Sequence, residues 1–126
     1  MSEHGEVGRL GEALAVVFLE RRGYRIIARN FRKKHGEIDI VAKKGGVLHF
    51  VEVKAGAFSR EIISRENRFD PADNATVRKM RKVARTAESY MMEHGVKGDM
   101  QIDLVVVHMD MNTRRARCVL YEQVVE

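Results

Sequence analysis

The sequence has little cysteine and no long apolar run, and both shortages limit the classes of protein to which it can belong. Cys118 is the only cysteine, which excludes an internal disulfide and a zinc site built from cysteines, and it is consistent with a reducing compartment. No apolar run approaches the roughly 18 residues of a membrane-spanning helix. The opening residues, MSEHGEVGRL, lack the basic and apolar regions of a secretory leader. These features predict a soluble, cytoplasmic protein that does not bind membranes.

Internal repeats, low-complexity tracts and linkers are also missing, so the chain is expected to form one domain over residues 1–126. With 126 residues, of which 44% are hydrophobic, such a domain can bury a substantial core. The 23 Lys and Arg residues outnumber the 18 Asp and Glu residues, which gives a net charge of +5. This excess favours a polyanionic partner such as nucleic acid, although many basic proteins bind no particular polyanion.

The stretch GEIDIVAKKGGVLHFVEVK, residues 36–54, predicts a β-hairpin that turns at Gly45-Gly46. Both glycines can adopt a positive φ, as two-residue hairpin turns require, and the choice of turn fixes the register of the two strands. Counting outward from the turn predicts these opposed pairs: Lys44 with Val47, Ala42 with His49, Ile40 with Val51, Asp39 with Glu52, and Glu37 with Lys54.

This register places two carboxylates opposite each other, and that arrangement predicts a metal site. Directly opposed residues have Cβ atoms about 4.5–5.5 Å apart, where like charges are destabilising, so Asp39 and Glu52 need a cation. Lys54 projects from the same strand face as Glu52. Carboxylate oxygens suit Mg²⁺ or Mn²⁺, and a metal with a nearby ammonium suits phosphodiester hydrolysis. The alternative is an exposed hairpin face with alternating charges.

A first helix is predicted from about Val7 to Arg22, with Gly23 ending it. It carries two apolar stripes, so we expect it to be largely covered: Leu10, Leu14, Val17 and Phe18 form one, and Ala15, Val16 and Leu19 form the other. Glu12 falls inside the second stripe, where an acid needs a partner or a metal. It is therefore a candidate third carboxylate ligand. Alternatively, it is an acid near the helix N-terminus that the helix dipole favours.

The remaining patterns complete an α/β fold. A β-prone run at residues 24–30 should pair with the first hairpin arm to make a meander. A second helix should run from Asp73 or Asn74 to about His94, with a core stripe of Val77, Met80, Ala84, Ala87 and Met91. Residues 101–109 predict a buried strand that joins the sheet in parallel, and residues 117–124 predict an edge strand. The expected architecture is a mixed central sheet of about five strands flanked by two main helices.

Asp103 is unexpected in the apolar strand at residues 101–109. It could support the metal site through its ligands or satisfy a neighbouring cation near the start of the strand, and we favour the second role. The connection at residues 55–74, which carries the only proline, is long for a compact domain. It could clamp a nucleic acid or form a flexible flap.

Basic residues gather in two places that can contact a phosphate backbone. The first group precedes the hairpin, and the second lies in the early turns of the second helix: Arg29, Arg32, Lys33 and Lys34, then Arg78, Lys79, Arg81 and Lys82. The alternative for both groups is ordinary solvated surface.

Several of these segments together resemble a known family. GEALAVVFLERRGYRIIARNFR, GEIDIVA, LHFVEVK, the basic second helix and IDLVVV are similar to the YraN family of small bacterial proteins over nearly the whole chain. That family resembles the restriction-endonuclease-like PD-(D/E)xK nuclease superfamily and archaeal Holliday-junction resolvases. The resemblance implies a restriction-endonuclease-like core. It also implies a catalytic site of Glu12, Asp39, Glu52 and Lys54, in which the three acids bind metal.

The chain departs from the pattern in three places. No proline precedes Asp39, a common variation in the superfamily. Ala55-Gly56 follow Lys54 where the family usually has a basic residue, and Gln101 stands where the family has arginine. The last two departures concern how the substrate is held rather than the metal site.

Three functions fit these observations. The leading hypothesis is a Mg²⁺-dependent endonuclease that hydrolyses phosphodiester bonds of DNA, with branched DNA as one candidate substrate. The second is a non-catalytic nucleic-acid-binding protein with a nuclease-like fold, and the third is an interaction protein whose acids bind no metal. Resolvase-like activity would require a homodimer, and the sequence displays no dimer face. Metal-dependent cutting of DNA separates the first hypothesis from the other two.

Overall fold

The computed structural model describes residues 5–58, 74–110 and 112–125. Their elements follow in this order: α1 (Glu6–Arg21), β1 (Arg25–Lys33), β2 (Gly36–Lys44), β3 (Val47–Phe58), α2 (Asn74–Glu93), β4 (Met100–Asp110) and β5 (Arg115–Val125). Within these ranges, no helix combines the length and the apolar character needed to cross a membrane.

The five strands form one mixed sheet in the order β1-β2-β3-β4-β5. Neighbouring strands are antiparallel except β3 and β4, which are parallel. A parallel pair requires a long crossover, and α2 lies in that connection. The predicted α/β class, with a five-stranded mixed sheet and two helices, is confirmed, and β5 lies at an edge as expected.

The hairpin between β2 and β3 turns at two glycines in the left-handed region. Gly45 has φ +58° and Gly46 has φ +77°, which a two-residue turn with two positive φ angles requires. The observed pairs run from Lys44–Val47 through Ala42–His49 to Ile40–Val51. Within this range the predicted register is confirmed.

β3 continues beyond its predicted end at Lys54. Residues 55–58 pair in parallel with residues 107–110 of β4, so the connection predicted from residue 55 begins later than expected. The sequence hides this extension because Ala55 and Gly56 have low strand propensity, whereas the neighbouring β4 supplies their hydrogen-bonding partners. Residues 59–73 of the predicted connection lie outside the described part of the chain.

Each helix covers one face of the sheet. On the α1 face, Ala15 and Leu19 pack with alternate residues of the central strands, including Val51 and Val53. On the α2 face, Met80, Val83, Ala87 and Tyr90 pack with another set of strand residues that includes Ile38, Phe50 and Leu104. Of the predicted α2 stripe, Met80 and Ala87 are buried and Ala84 and Met91 are partly buried, whereas the side chain of Val77 is not described.

α1 contacts the sheet mainly along the stripe that contains Glu12, Ala15 and Leu19. The expectation that both apolar stripes are covered holds only in part: Leu14 and Phe18 pack against the core, whereas Leu10 and Val17 are 52% and 43% exposed. A helix that packs on one sheet face fully buries only the stripe that is directed toward that face. The second predicted stripe therefore determines how α1 is oriented, and it brings Glu12 into the interior.

Gly11 sets the depth at which α1 lies on β3. A Cβ atom added to Gly11 would lie 2.3 Å from the Cβ atom of Ala55, which is closer than such atoms can approach. The glycine thus permits a helix-to-strand contact that any larger residue would push apart. Glu12, the next residue, depends on this spacing for its position.

We expect Gly11→Ala to destabilise the protein even though alanine is the better helix former. The propensity gain of roughly 1 kcal/mol is opposed by an overpacking term of about 1–3 kcal/mol. Denaturant unfolding should therefore show a net loss of stability. Adding Ala55→Gly should recover much of that loss by removing the opposing methyl group, and a double variant no more stable than Gly11→Ala would contradict this account.

Candidate active site

Asp39 and Glu52 lie together just beyond the last backbone pair between β2 and β3. They are next to the last observed pair, Ile40–Val51. The Val53 N–H donates to Asp39 Oδ2 at 2.8 Å, so a carboxylate of β2 accepts a hydrogen bond from the backbone of β3. Asp39 is 1% exposed and Glu52 is 4% exposed. Both acids are thus held inside the protein at the end of the hairpin ladder.

The two carboxyl groups influence each other directly. The pKa of Glu52 is raised to about 8. Burial is the largest cause, the negative charge of Asp39 and a hydrogen bond to Asp39 add to it, and Lys79 acts in the opposite direction. Two carboxyl groups in contact and away from water cannot both ionise readily. At neutral pH the pair therefore retains a proton unless a cation takes its place.

Two lysines lie beside this pair. Lys79 of α2 places its Nζ 3.0 Å from Glu52 Oε1, while its side chain is 61% exposed. Val51 and Val53 belong to the core on the α1 face, so by strand alternation Glu52 and Lys54 are directed toward the α2 face. Lys54 is exposed there. The structure thus brings Asp39 and Glu52 into contact, places Lys54 on the same strand face as Glu52, and adds Lys79, which the sequence had indicated only as a phosphate contact.

Glu12 approaches from the α1 face and is 4% exposed. With the Asn30 side-chain amide oriented to donate, its nitrogen lies 3.0 Å from Glu12 Oε1 and 3.2 Å from Glu37 Oε1. Asn30 belongs to β1, between the pairs Arg29–Ile40 and Phe31–Ile38, and therefore lies across from Asp39.

The sequence reasoning missed Asn30. Its backbone is left-handed, with φ +54°, which asparagine tolerates better than most residues. Asparagine is also unfavourable in strands, and that preference was the only signal in the sequence. Its amide now bridges two acids next to Asp39, so Asn30 is a residue of the site.

The predicted basic groups do not form one surface. Lys33 Nζ lies 2.5 Å from Glu93 Oε2, and Arg32 Nε lies 3.4 Å from Glu37 Oε1, so both cations have acidic partners. The remaining members are exposed: Arg29, Lys34, Arg78, Arg81 and Lys82. Arg29 is opposite Ile40 and shares its α1 face, whereas the α2 residues lie on the other side of the sheet.

A second polar cluster, here called the His49 cluster, consists of His49, Asp103 and Glu122. His49 Nδ1 lies 2.6 Å from Asp103 Oδ2, and both residues are buried. One candidate ligand atom from each of the three residues lies within 4.8 Å of the others, an arrangement that can hold a metal ion. Asp103 thus has a hydrogen-bonding partner near the start of β4. The sequence analysis missed Glu122 because no motif around it distinguishes it from other acidic residues.

Comparison with known proteins places the chain among bacterial relatives. The description "Uncharacterised protein family UPF0102" matches residues 11–107. A UPF0102 protein of Campylobacter jejuni strain RM1221 is 41% identical over 103 residues, which cover 82% of this chain and 84% of the relative. A UPF0102 protein of Thermotoga neapolitana is 40% identical over 99 residues, covering 79% and 84%.

Among solved structures, Pyrococcus furiosus SfsA in complex with Ca²⁺ has a TM-score of 0.35 and 16% identity, covering 90% of this chain and 60% of that chain. A score this low supports no conclusion about fold or function. The sequence matches alone show the family. UPF0102 is the family that the sequence analysis named YraN, so that prediction is confirmed: the chain belongs to the UPF0102 family.

Proposed function

We propose that this protein is a metal-dependent nuclease that hydrolyses phosphodiester bonds of DNA, with branched DNA among its candidate substrates. The observation that carries the proposal is the buried contact between Asp39 and Glu52, in which the pKa of Glu52 is raised to about 8. Buried groups with strongly raised pKa values are concentrated at functional sites. A pair of carboxylates beside exposed lysines also has the composition that phosphodiester hydrolysis requires.

The donor set fits Mg²⁺ or Mn²⁺. Both ions prefer carboxylate oxygens, and Mg²⁺ commonly uses one or two carboxylates together with substrate phosphate. Asp39 and Glu52 would hold the ion, with Glu12 as a third candidate because its carboxylate is also buried. When bound, the metal would supply a water of lowered pKa and would neutralise charge at the phosphate.

The protein's own groups then have distinct tasks. The Val53 N–H holds the Asp39 carboxylate in place, and the Asn30 amide orients Glu12. The exposed Lys54 ammonium would stabilise negative charge that develops on phosphate oxygens in the transition state. Lys79 forms an ion pair with Glu52, which favours the ionised form that can bind a cation.

Exposed basic residues extend the same face of the protein. Arg78 and Arg81 lie on α2, as does Lys79, which reaches Glu52. Positive groups at this position can bind the DNA backbone on either side of the bond that is cut. Lys34 and Lys82 can contribute in the same way. Arg29 would instead contact a DNA strand that passes along the α1 face.

One observation favours a second function, a nucleic-acid-binding protein without catalysis. The Lys79–Glu52 ion pair, at 3.0 Å, already compensates the Glu52 carboxylate without any metal. If this ion pair persists when DNA is bound, the acids serve only to position the basic side chain of α2. Cleavage measurements separate the two functions.

Cleavage should depend on Lys54 more strongly than binding does. With Mg²⁺ or Mn²⁺ supplied, wild-type protein should cut linear, flapped or four-way DNA. Lys54→Ala should reduce cutting by at least about 100-fold, because each ~1.36 kcal/mol of lost transition-state stabilisation is tenfold in rate. Its DNA affinity should remain nearly unchanged, since the ammonium acts on charge that develops during the reaction.

Matched variants complete this test. Asp39→Ala and Glu52→Ala should abolish cutting and also weaken Mn²⁺ binding measured by calorimetry. Lys97→Ala, which removes an exposed lysine between α2 and β4, is the control and should cut normally. Salt-dependent binding of all three DNA forms without any cutting would replace the nuclease proposal by the binding protein.

Binding of DNA should weaken as salt increases. For duplex DNA the log–log slope is about −0.9 per neutralised phosphate. Replacing Arg78 and Arg81 by glutamate should flatten this slope, whereas Lys97→Glu should change it little because Lys97 lies outside the proposed surface. Equal slopes for wild type and the Arg78/Arg81 double variant, measured by fluorescence anisotropy, would remove α2 from the DNA contact.

The raised pKa of Glu52 should make the stability of the metal-free protein depend on pH. The folded protein binds this proton more tightly than the unfolded chain, whose glutamate pKa is near 4.5. The resulting stability is complete below about pH 4.5 and is lost as the pH rises through about 8. Wild type should therefore lose several kcal/mol of this contribution over that range, at ~1.36 kcal/mol per unit of pKa difference.

Glu52→Gln removes this titration, so its stability advantage over wild type should increase between pH 6 and pH 9 when unfolding is followed with EDTA present. Glu88→Gln, at an exposed position of α2, is the matched control. Parallel pH profiles for wild type and Glu52→Gln would contradict the raised pKa.

A further inference from the structure

The His49 cluster lies on the face of the sheet opposite Glu52 and Lys54, and the proposed nuclease reaction makes no use of it. Each residue comes from a different strand: His49 from β3, Asp103 from β4 and Glu122 from β5. The ligand atoms lie within 4.8 Å of one another. Three converging donors from three strands require an explanation of their own.

A backbone irregularity in β5 builds this cluster. Ile102 pairs with Val125 and Leu104 pairs with Tyr121, so the register shifts opposite Asp103. Gln123, in the shifted segment, has φ +50°, and its N–H donates to Asp103 Oδ1 at 3.0 Å. Bulges of this kind change the direction of side chains and are frequent beside functional sites. Here the irregularity brings the Glu122 side chain next to the buried Asp103.

Gln101 holds the two carboxylates together. Its Nε2 donates to Asp103 Oδ1 at 2.9 Å and to Glu122 Oε1 at 3.2 Å. Carboxylates that bind metals are usually fixed by outer hydrogen bonds of this kind. The other oxygen of Asp103, Oδ2, is directed at His49. The arrangement therefore fixes one oxygen of the buried acid and directs the other toward the imidazole.

The local charge balance favours a cation. Two carboxylates share the site with a single imidazole, and Glu122 is exposed, which provides a path for an ion to enter. The Tyr24 ring meets the His49 ring edge-on at 4.9 Å. Burial raises the pKa of the Tyr24 phenol, and the negative charges of Glu122 and Asp103 raise it further. A tyrosine beside the cluster thus experiences the negative charge of both acids, which Arg22 offsets in part.

We propose that His49, Asp103 and Glu122 bind a divalent transition-metal ion of the Zn²⁺ class, which fastens the edge strand β5 to the centre of the sheet. Imidazole nitrogen combined with carboxylate oxygen suits Zn²⁺ and Co²⁺, whereas Mg²⁺ selects oxygen ligands and water. Zinc lies about 2.0–2.2 Å from such ligands. Two ligands of a tetrahedral ion at that distance lie about 3.3–3.5 Å apart, so the His49–Asp103 contact of 2.6 Å needs to widen by roughly 0.8 Å as the ion replaces the shared proton.

The proposal is independent of the nuclease chemistry and has its own test. Zn²⁺ binding to the full chain is measured by calorimetry with excess Mg²⁺ present, which occupies oxygen-only sites. Wild type should bind one Zn²⁺, and Co²⁺ should give a visible absorption band. Glu122→Gln and His49→Gln should each lower the Zn²⁺ affinity by at least about 10-fold, because even loss of an outer-shell partner has such an effect.

Matched controls separate this site from others. His35→Gln and Glu88→Gln, at exposed positions, should bind Zn²⁺ as wild type does. Zn²⁺ should raise the melting temperature of wild type and of Glu52→Gln but not that of Glu122→Gln, whose exposed position allows the variant to fold. Absent Zn²⁺ binding by wild type, or equal affinity in Glu122→Gln, would overturn the proposal and leave His49 and Asp103 as a hydrogen-bonded pair. Loss of binding only in Asp39→Asn would overturn it as well.

Discussion

The contact between the Asp39 and Glu52 carboxyl groups is the interaction on which the rest of the candidate active site depends. Bringing two acids together away from water is unfavourable unless a proton or a cation lies with them. The surrounding structure enforces the contact, since the Gly45-Gly46 turn sets the register and apolar cores on both faces hold the strands in place. Burial of the pair and the charge of Asp39 together raise the pKa of Glu52 to about 8. In this account, the stability gained by packing maintains an arrangement suited to binding a cation.

The two faces of the sheet carry different chemistry. On the α2 face, Glu52 forms an ion pair with Lys79 and Lys54 is exposed, and this is the side on which we propose that DNA binds. On the α1 face, helix packing is close enough that Gly11 is required, and Glu12 enters the interior beside it. The His49 cluster also belongs to this face, near the starts of β3 and β4 and the end of β5. One metal site would thus serve chemistry and the other would secure an edge strand.

Much of this arrangement could be predicted because its signals are local in the sequence. Alternation on either side of Gly45-Gly46 determines the β2–β3 register, and the helical stripe that includes Ala15 and Leu19 predicts the burial of Glu12. The contacts that escaped prediction depend on tertiary geometry. Lys79 reaches Glu52 only because α2 crosses that face.

Two further features could not be predicted from sequence periodicity. Asn30 bridges two acids through a left-handed backbone, and Glu122 joins Asp103 through a register shift in β5. Neither a single unusual φ nor a strand irregularity leaves a periodic signal. The exposure of Leu10 shows the opposite error, because the sheet covers only part of the apolar stripe to which Leu10 belongs. Periodicity thus predicts elements and faces, whereas contacts between faces require the assembled fold.

The central claim is that the Asp39–Glu52 pair binds a divalent metal, and Mn²⁺-induced broadening of amide resonances tests it most directly. The Val53 amide is the reporter because its N–H donates to Asp39. The measurement uses ¹⁵N-labelled Glu122→Gln protein, so that the His49 cluster does not compete. The account predicts that the Val53 signal and its neighbours in β2 and β3 broaden first, and that Asp39→Asn prevents this. Val53 signals that stay sharp at Mn²⁺ concentrations that support DNA cleavage would contradict the account.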